Sequence, residues 1–501
     1  MVAYANTIFS AKAFGFTMLI YRNLFECLVL ISLCVGTGFA RLSESLARSE
    51  ESAARETPIS KIAFGSCADQ NKPCPIWGTI ADYHPELMLM LGDNIYADLV
   101  DGQLKPATAE RIAEGYEQLA ALPDFARLRA QSKLMGTWDD HDYGNNDAGV
   151  EWELKDEAAT MFHNFFGTPS DSPRRQQRGI YDARLFGPPG KRLQVIMLDM
   201  RYFRSQLEKG PEPLPGLRAR PYIAATGANA TMLGEAQWKW LAEQLEVQAD
   251  LRIIATSIQL LSDQHPFEKW GTMPNERDRM FELIRRKAAS GVVFLSGDRH
   301  HGEISCEPKV VGYPLYDVTA SGLNQANQSW RAPEPNLLKV ASLQYGNHFG
   351  SIEIDWEQDV PTIKLQLRHE DGEIAVQSRL KLSLLKAKPL PLARPEGVLS
   401  PSEALELDVG DETVVQFAVG SARLISNSTR MLLNSEVDRQ SDENLTVVVE
   451  TSAIAGPHAQ ANANIFLGKT VRAAGKVTLY NLIKQIQVSD AAKLEIITAD
   501  K

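Results

Sequence analysis

The sequence predicts an α/β fold built on an open sheet, and three observations carry that expectation. Short apolar runs recur from Lys61 onward, each closed by a polar cluster: K-I-A-F before G-S-C, E-L-M-L-M-L before G-D-N-I-Y, and K-L-M-G-T-W before D-D-H-D. R-L-Q-V-I-M-L before D-M-R, R-I-I-A-T-S-I-Q, and G-V-V-F-L-S before G-D-R-H-H continue the series. Runs of this length and continuity read as strands buried on both faces. Segments of helical period lie between them, as at Ala109 to Leu122 and Glu235 to Gln248. Every polar cluster falls at the carboxyl end of a strand, where open α/β sheets place their ligands.

The elements follow in order. Cys27 to Ala40 is an apolar run of 14 residues after Arg22, too short for a membrane-crossing helix, with Gly38 and Ala40 placed as cleavage-site residues. It reads as a secretory signal peptide (1–40) cut after Ala40, the alternative being a retained anchor. The Ser/Glu/Arg/Ala-rich stretch 41–58 is a linker, and a catalytic α/β domain follows over 59–385. Within it, Ser351 to Leu385 alternates as antiparallel strands around an E-D-G turn. The proline-rich stretch 386–402 is a second linker, leaving 403–501 as a small α/β accessory domain.

Composition narrows the function. The chain of 501 residues carries a formal net charge of −11, which disfavours general binding to nucleic acid. Of five cysteines, cleavage removes Cys27 and Cys34 and leaves Cys67, Cys74 and Cys306 in an oxidising compartment. The expectation is a Cys74–Cys306 bridge with Cys67 as a working thiolate.

Three clusters carry the chemistry. Gly92-Asp93-Asn94-Ile95-Tyr96 offers a carboxylate at a tight strand exit, Asp139-Asp140-His141-Asp142 packs three carboxylates and an imidazole, and Ser296-Gly297-Asp298-Arg299-His300-His301 sets one carboxylate and two imidazoles at another strand end. Converging carboxylates repel unless cations offset their charge. Two metal ions could activate water and stabilise the leaving oxygen of an in-line displacement. A thiolate, a phenolate and a carboxylate from Cys67, Tyr96 and Asp93 favour a trivalent or softer metal over magnesium alone. Asp139 is expected to support its neighbour and Asp142 to orient His141. His301 is expected to support, since adjacent histidines on an extended strand face opposite ways.

The ordered set F-G-S-C, L-G-D-N-I-Y-A-D, T-W-D-D-H-D-Y-G, L-D-M-R-Y-F-R-S, M-L-G-E-A-Q-W-K-W-L and S-G-D-R-H-H resembles the alkaline phosphatase D-like metallophosphatases, within the calcineurin-like metallophosphoesterases. The resemblance covers about Lys61 to Leu385. It implies a four-layered αββα sandwich and a phosphoester hydrolase, with iron (Fe3+) and calcium (Ca2+) as the typical ions and zinc, manganese or magnesium as alternatives. Carried over by motif, Cys67, Asp93 and Tyr96 hold the iron-type ion, with Asp93 bridging. Asp140 falls at a second-metal position, and His141 at the position that contacts phosphate or protonates the leaving group. Asp298 stands where the family's closing motif has its first histidine, and His300 matches its second. A further histidine expected near Ser257 or Gln259 is absent, so Asn145 or Asn146 would complete the set. Arg201 or Arg204 is expected to grip the phosphate, with inversion at phosphorus after attack by a metal-bound hydroxide. The substrate implied is a small phosphoester or a phospholipid-type ester, met in the periplasm or outside the cell. The alternative function is a non-catalytic envelope module that binds a phosphorylated ligand or the cell wall.

The segment 403–501 reads as strand, helix, strand, helix, strand, with Arg472 to Ile486 as the second helix. That order faintly resembles outer-membrane protein A-type domains and implies cell-wall contact, although Thr451-Ser452 stands where they have Thr-Asp.

Overall fold

The structure is a computed structural model that describes residues 57–213, 220–227, 229–387, 394–425, 430–436, 439–441, 443–450, 463–481, 483–490 and 493–497. The signal peptide expected over 1–40 lies outside the described residues, and no described helix is long and apolar enough to cross a membrane.

The elements of the larger domain run β1 (Lys61–Gly65), α1 (Ile76–Tyr83), β2 (Leu87–Leu91), the small hairpin β3 (Leu99–Val100) and β4 (Gln103–Leu104), α2 (Ala109–Ala121), α3 (Pro123–Gln131), β5 (Lys133–Thr137), α4 (Asp140–Tyr143) and α5 (Lys155–Phe165). They continue with β6 (Asp182–Phe186), β7 (Leu193–Met197), α6 (Gly234–Gln244), β8 (Leu251–Ala255), α7 (Pro274–Arg286), β9 (Val292–Ser296), β10 (Gly302–Glu307), β11 (Leu315–Ala320), β12 (Lys339–Leu343), β13 (His348–Asp355), β14 (Thr362–His369) and β15 (Ile374–Lys381). They build two sheets, ordered β15-β14-β13-β1-β2-β5 and β12-β10-β11-β9-β8-β7-β6. Strands β1, β2 and β5 pair in parallel, as do β7, β8, β9 and β11. The antiparallel strands expected after Ser351 form β13 to β15 and close the first sheet against β1.

Period-two alternation along the strands decides what faces what. On β2, Leu87, Leu89 and Leu91 join the core between the sheets, with Phe64, Val195, Ile253 and Leu295, while Met88 and Met90 face outward. Those methionines pack with Trp77, Ile80, Ile112, Phe125 and Phe162 of the helices over the first sheet. Trp238, Leu241, Met280 and Ile284 of α6 and α7 join the core with the second sheet. The result is a four-layered αββα sandwich. Both sheets send their parallel strand ends to one rim, where the Ser66 N–H donates to the Ala320 carbonyl and the Gly297 N–H to the Ser257 carbonyl.

Two expectations are corrected here. Cys67, Cys74 and Cys306 are all free. Cys74 packs in the helical layer outside the first sheet, whereas Cys306 sits on β10 of the second, opposite Tyr316, so the two thiols belong to different layers. The described part of 403–501 is strand-dominated rather than alternating. After α8 (Pro401–Leu405) come β16 (Glu412–Ala418), β17 (Ser421–Leu424), β18 (Arg430–Asn434), β19 (Thr446–Glu450), β20 (Thr470–Tyr480), β21 (Ile483–Val488) and β22 (Leu494–Ile497). Arg472 to Ile486, expected as a helix, is the β20–β21 hairpin. Val477 and Ile486 pair across the hairpin and enter a separate small core with Val415, Phe417 and Val447. The sheet order is β16-β20-β21-β19-β18-β17 with β22 on β20. Its first and last strands are consecutive in the chain, so the sheet curls around that core. The alternation behind the cell-wall resemblance is absent from the described residues, and Thr451-Ser452 lies outside them.

Candidate metal centre

Sharp exits from the strands set the site. Gly92 leaves β2 at φ 100°, and a Cβ there would lie 2.6 Å from the Asp139 Cβ, so only glycine lets the β2 and β5 exits touch. Cys67, Asp93, Asp298 and His300 all sit at positive φ, between 48° and 70°. Left-handed backbone at non-glycine residues costs energy and tends to collect at functional sites. It also places His300 and His301 differently from an extended strand. The hydroxyl of Tyr96 lies 3.3 Å from Nε2 of His300, whereas Nδ1 of the buried His301 lies 3.0 Å from the Arg299 carbonyl oxygen.

Potential ligand atoms gather in two groups that share Asp93: Cys67, Asp93 and His300 in one, and Asp93, Asp140 and His141 in the other. Oδ2 of Asp93 accepts from the Cys67 thiol at 3.4 Å and from the Tyr96 hydroxyl at 3.2 Å. Its Oδ1 accepts from the His141 backbone N–H at 3.4 Å. The two oxygens of one carboxylate thus face different donor sets. Ser321 braces the first set, its hydroxyl 3.2 Å from the Cys67 sulfur and accepting from the His300 N–H at 2.9 Å.

The second set rests on the four-residue helix α4. Asp139 caps it in a capping box with Asp142. Asp142 also accepts from the backbone N–H groups of Asp93 (3.2 Å) and Asn94 (3.3 Å), so it fastens the β2 exit to α4 instead of orienting His141. The group beside the His141 ring is Asp98, whose Oδ1 lies 2.7 Å from Nδ1. The Tyr96 ring stacks on the other side, with centroids 4.2 Å apart. Asp98 stood in the quoted motif L-G-D-N-I-Y-A-D, yet its partner became visible only in three dimensions.

Other expected residues fall around this centre. Asp298 lies outside both donor groups, 3.5 Å from an Nη of Arg299. Asn145 and Asn146 are half-buried in the turn after α4, where Asn145 donates its N–H to the Asp140 carbonyl. The side chain of Asp140 instead accepts from the backbone N–H of Asp147 at 2.7 Å. Ser257 donates to Asp139 at 2.7 Å, and Gln259 turns away to Thr319 at 2.9 Å.

Arg201 and Arg204 are wholly buried. Arg201 pairs with Asp139, contacts Glu268 at 2.8 Å and lies 3.9 Å from Asp140. Arg204 pairs with Glu268 at 3.1 Å and donates to the Asp147 carbonyl at 2.6 Å. Both guanidinium forks are engaged behind the carboxylates. No sequence motif marked Glu268 as their shared partner.

The electrostatics suit cations. Burial drives the Asp93 carboxyl well above its usual range, and Cys67 and Asp140 add to the shift. Burial likewise lifts the Cys67 thiol to about 11 and Asp298 to about 7. Burial alone would lower His141, but Asp140, Asp93 and Asp98 together hold it well above the ordinary histidine value. Oδ2 of Asp139 and Oδ2 of Asp98 are buried with no hydrogen-bond partner among the described residues. Such a cost is removed when positive charge enters the site. A sulfur, phenol, imidazole and carboxylate set on one side and an oxygen-rich set on the other fit a softer and a harder ion respectively.

Residues 62–360 match the profile of the family described as PhoD-like phosphatase. Alkaline phosphatase D of Bacillus subtilis (strain 168) is 24% identical over 48% of this chain and 46% of its own length, so the chain matches about half of that relative. Among solved structures, that of PhoD superposes with a TM-score of 0.53 at 18% identity, covering 69% of this chain and 74% of that one. GAP50, titled the anchor in the inner membrane complex of Plasmodium, gives a TM-score of 0.41 at 11% identity, covering 65% of this chain and 89% of its own.

Proposed function

The chain belongs to the PhoD-like phosphatase family, and from that premise we propose that it is a metal-dependent phosphoric ester hydrolase acting outside the cytoplasm on a small phosphoester or a phospholipid-type ester. The observation that carries this reading is Asp93, whose two carboxylate oxygens face separate donor groups containing Cys67 and His300 on one side and Asp140 and His141 on the other. In this reading Cys67, Asp93, Tyr96 and His300 would hold one ion, of iron type. Asp93 and Asp140 would hold a second, calcium or another hard cation, with Asp298 and Asn145 or Asn146 near it. When bound, such ions would supply Lewis acidity toward a phosphoryl oxygen and a water molecule.

The remaining work falls to the chain itself. Asp98 fixes the Nδ1 proton of His141 and leaves Nε2 as the atom that gives a proton to the departing alcohol. The stacked Tyr96 ring limits the tilt of that imidazole. Arg201 holds Asp139 and, through it, the capped start of α4 that presents Asp140 and His141. Export rests on the apolar segment 27–40.

The direct test is turnover of a chromogenic phosphodiester and a phosphomonoester at alkaline pH by the full chain, with and without added iron and calcium. Metal-dependent release that disappears in Asp93→Ala supports the reading. Absence of turnover with every ion tried, or full turnover in Asp93→Ala, would refute it.

A further inference from the structure

An anionic phosphoester needs a cation within reach of its non-bridging oxygens, and the two arginines expected from sequence to serve that need are wholly buried. Arg299 differs. It lies between Asp298 and His300 on the turn that leaves β9, and 12% of its side chain stays exposed. Its guanidinium stacks over the Phe267 ring at 4.0 Å. Glu334 grips one side of the fork, from Nε at 3.3 Å and Nη2 at 2.5 Å. Among the described residues the other nitrogen, Nη1, has one long contact, 3.5 Å to Oδ2 of Asp298.

The geometry points to Arg299 as the substrate-contacting cation, its Nη1 edge held over the Asp298–His300 turn to bind a non-bridging phosphoryl oxygen. The inference rests on the hydrolase reading above and names the residue of that site which grips phosphate. Stacking on Phe267 and the pairing with Glu334 fix a side chain that would otherwise lose rotamer freedom on binding. A planar cation held in advance of the reaction stabilises charge on the equatorial oxygens without reorganising. Glu334 lies in the stretch before β12 and carried no motif, so this support could not be read from sequence.

The test compares full-length wild type, Arg299→Ala and Arg299→Lys, each loaded with metal and checked for folding by circular dichroism and for metal by elemental analysis. Binding of inorganic phosphate is measured by calorimetry, and KM and kcat are measured on the chromogenic diester. Arg299→Ala should weaken phosphate binding about tenfold or more and raise KM, with metal content unchanged. Arg299→Lys, which keeps the charge and loses the fork, should fall between. Unchanged phosphate affinity in a folded, metal-replete Arg299→Ala would overturn the assignment, as would loss of metal from that variant, which would make Arg299 a support for Asp298. If the wild type turns over no phosphoester, the hydrolase reading fails, and the calorimetry still decides whether Arg299 grips phosphate.

Discussion

Nδ1 of His141 lies 2.7 Å from Oδ1 of Asp98, two strand exits meeting through one proton. Asp98 is among the groups that hold the imidazole pKa up. Asp98→Asn should therefore lower kcat by about tenfold to a hundredfold while leaving metal content unchanged. It should also move the alkaline fall of the pH–rate profile to lower pH, because a His141 with less support loses its proton sooner. A profile that keeps its alkaline limb would count against the dyad.

Tyr96 touches Oδ2 of Asp93 and Nε2 of His300 through one hydroxyl. If iron occupies that group, the purified chain should show a visible phenolate-to-iron absorption band, and Tyr96→Phe should remove it. Cys67→Ser should shift or weaken the same band. An iron-loaded protein whose spectrum is indifferent to Tyr96→Phe would exclude that ligand.

Gly92 offers a structural test. Gly92→Ala must force a left-handed residue at φ 100° and bring a Cβ to 2.6 Å from that of Asp139. The expected loss is on the order of 1–3 kcal/mol in a denaturant titration, with hydrolysis impaired because Asp93 moves. Gly102→Ala is the control: its φ is 74° but nothing lies within 4 Å of the added carbon, so only the backbone penalty remains.

His163 is buried, with Nδ1 3.2 Å from the Thr168 hydroxyl oxygen, and burial pushes its pKa from 6.5 down to about 4. The unfolded chain therefore takes up the proton first. The contribution of His163 to stability is full above about pH 6.5 and falls as pH drops toward 4, by about 1.4 kcal/mol per unit at most. His265, pushed down to about 2 by burial and by Arg299, acts in the same direction. Relative to wild type, His163→Gln should lose less of its urea midpoint, or gain more, between pH 7 and pH 5; an identical pH dependence in the two proteins would exclude His163 as a contributor.

Much of the site was legible because its chemistry is local. Cys67, Asp93, Tyr96, Asp140, His141 and His300 each sit within a few residues of a strand end, and a strand end needs only a short apolar run and a turn to announce itself. The partners were not legible. Glu268 lies 67 positions from Arg201, and Glu334 lies 35 from Arg299. Each meets its arginine only because loops attached to different strands of the second sheet converge on one rim. The Cys74–Cys306 expectation failed for the same reason, since counting cysteines says nothing about which layer holds them. The helix expected over Arg472 to Ile486 failed because Val477 and Ile486 pair across a hairpin and enter a sheet core.

Hydrophobic period and motif order are properties of the chain read in one dimension, and they were enough for the α/β sandwich, the family and the residue types at the strand ends. Packing in three dimensions was needed for Asp93 to face two donor groups, for Asp98 to pair with His141, and for Arg201 and Arg204 to be spent on Asp139 and Glu268 while Nη1 of Arg299 lies 3.5 Å from Asp298. Those outcomes depend on burial and on distances between segments far apart in the chain, and both are set by how the two sheets pack.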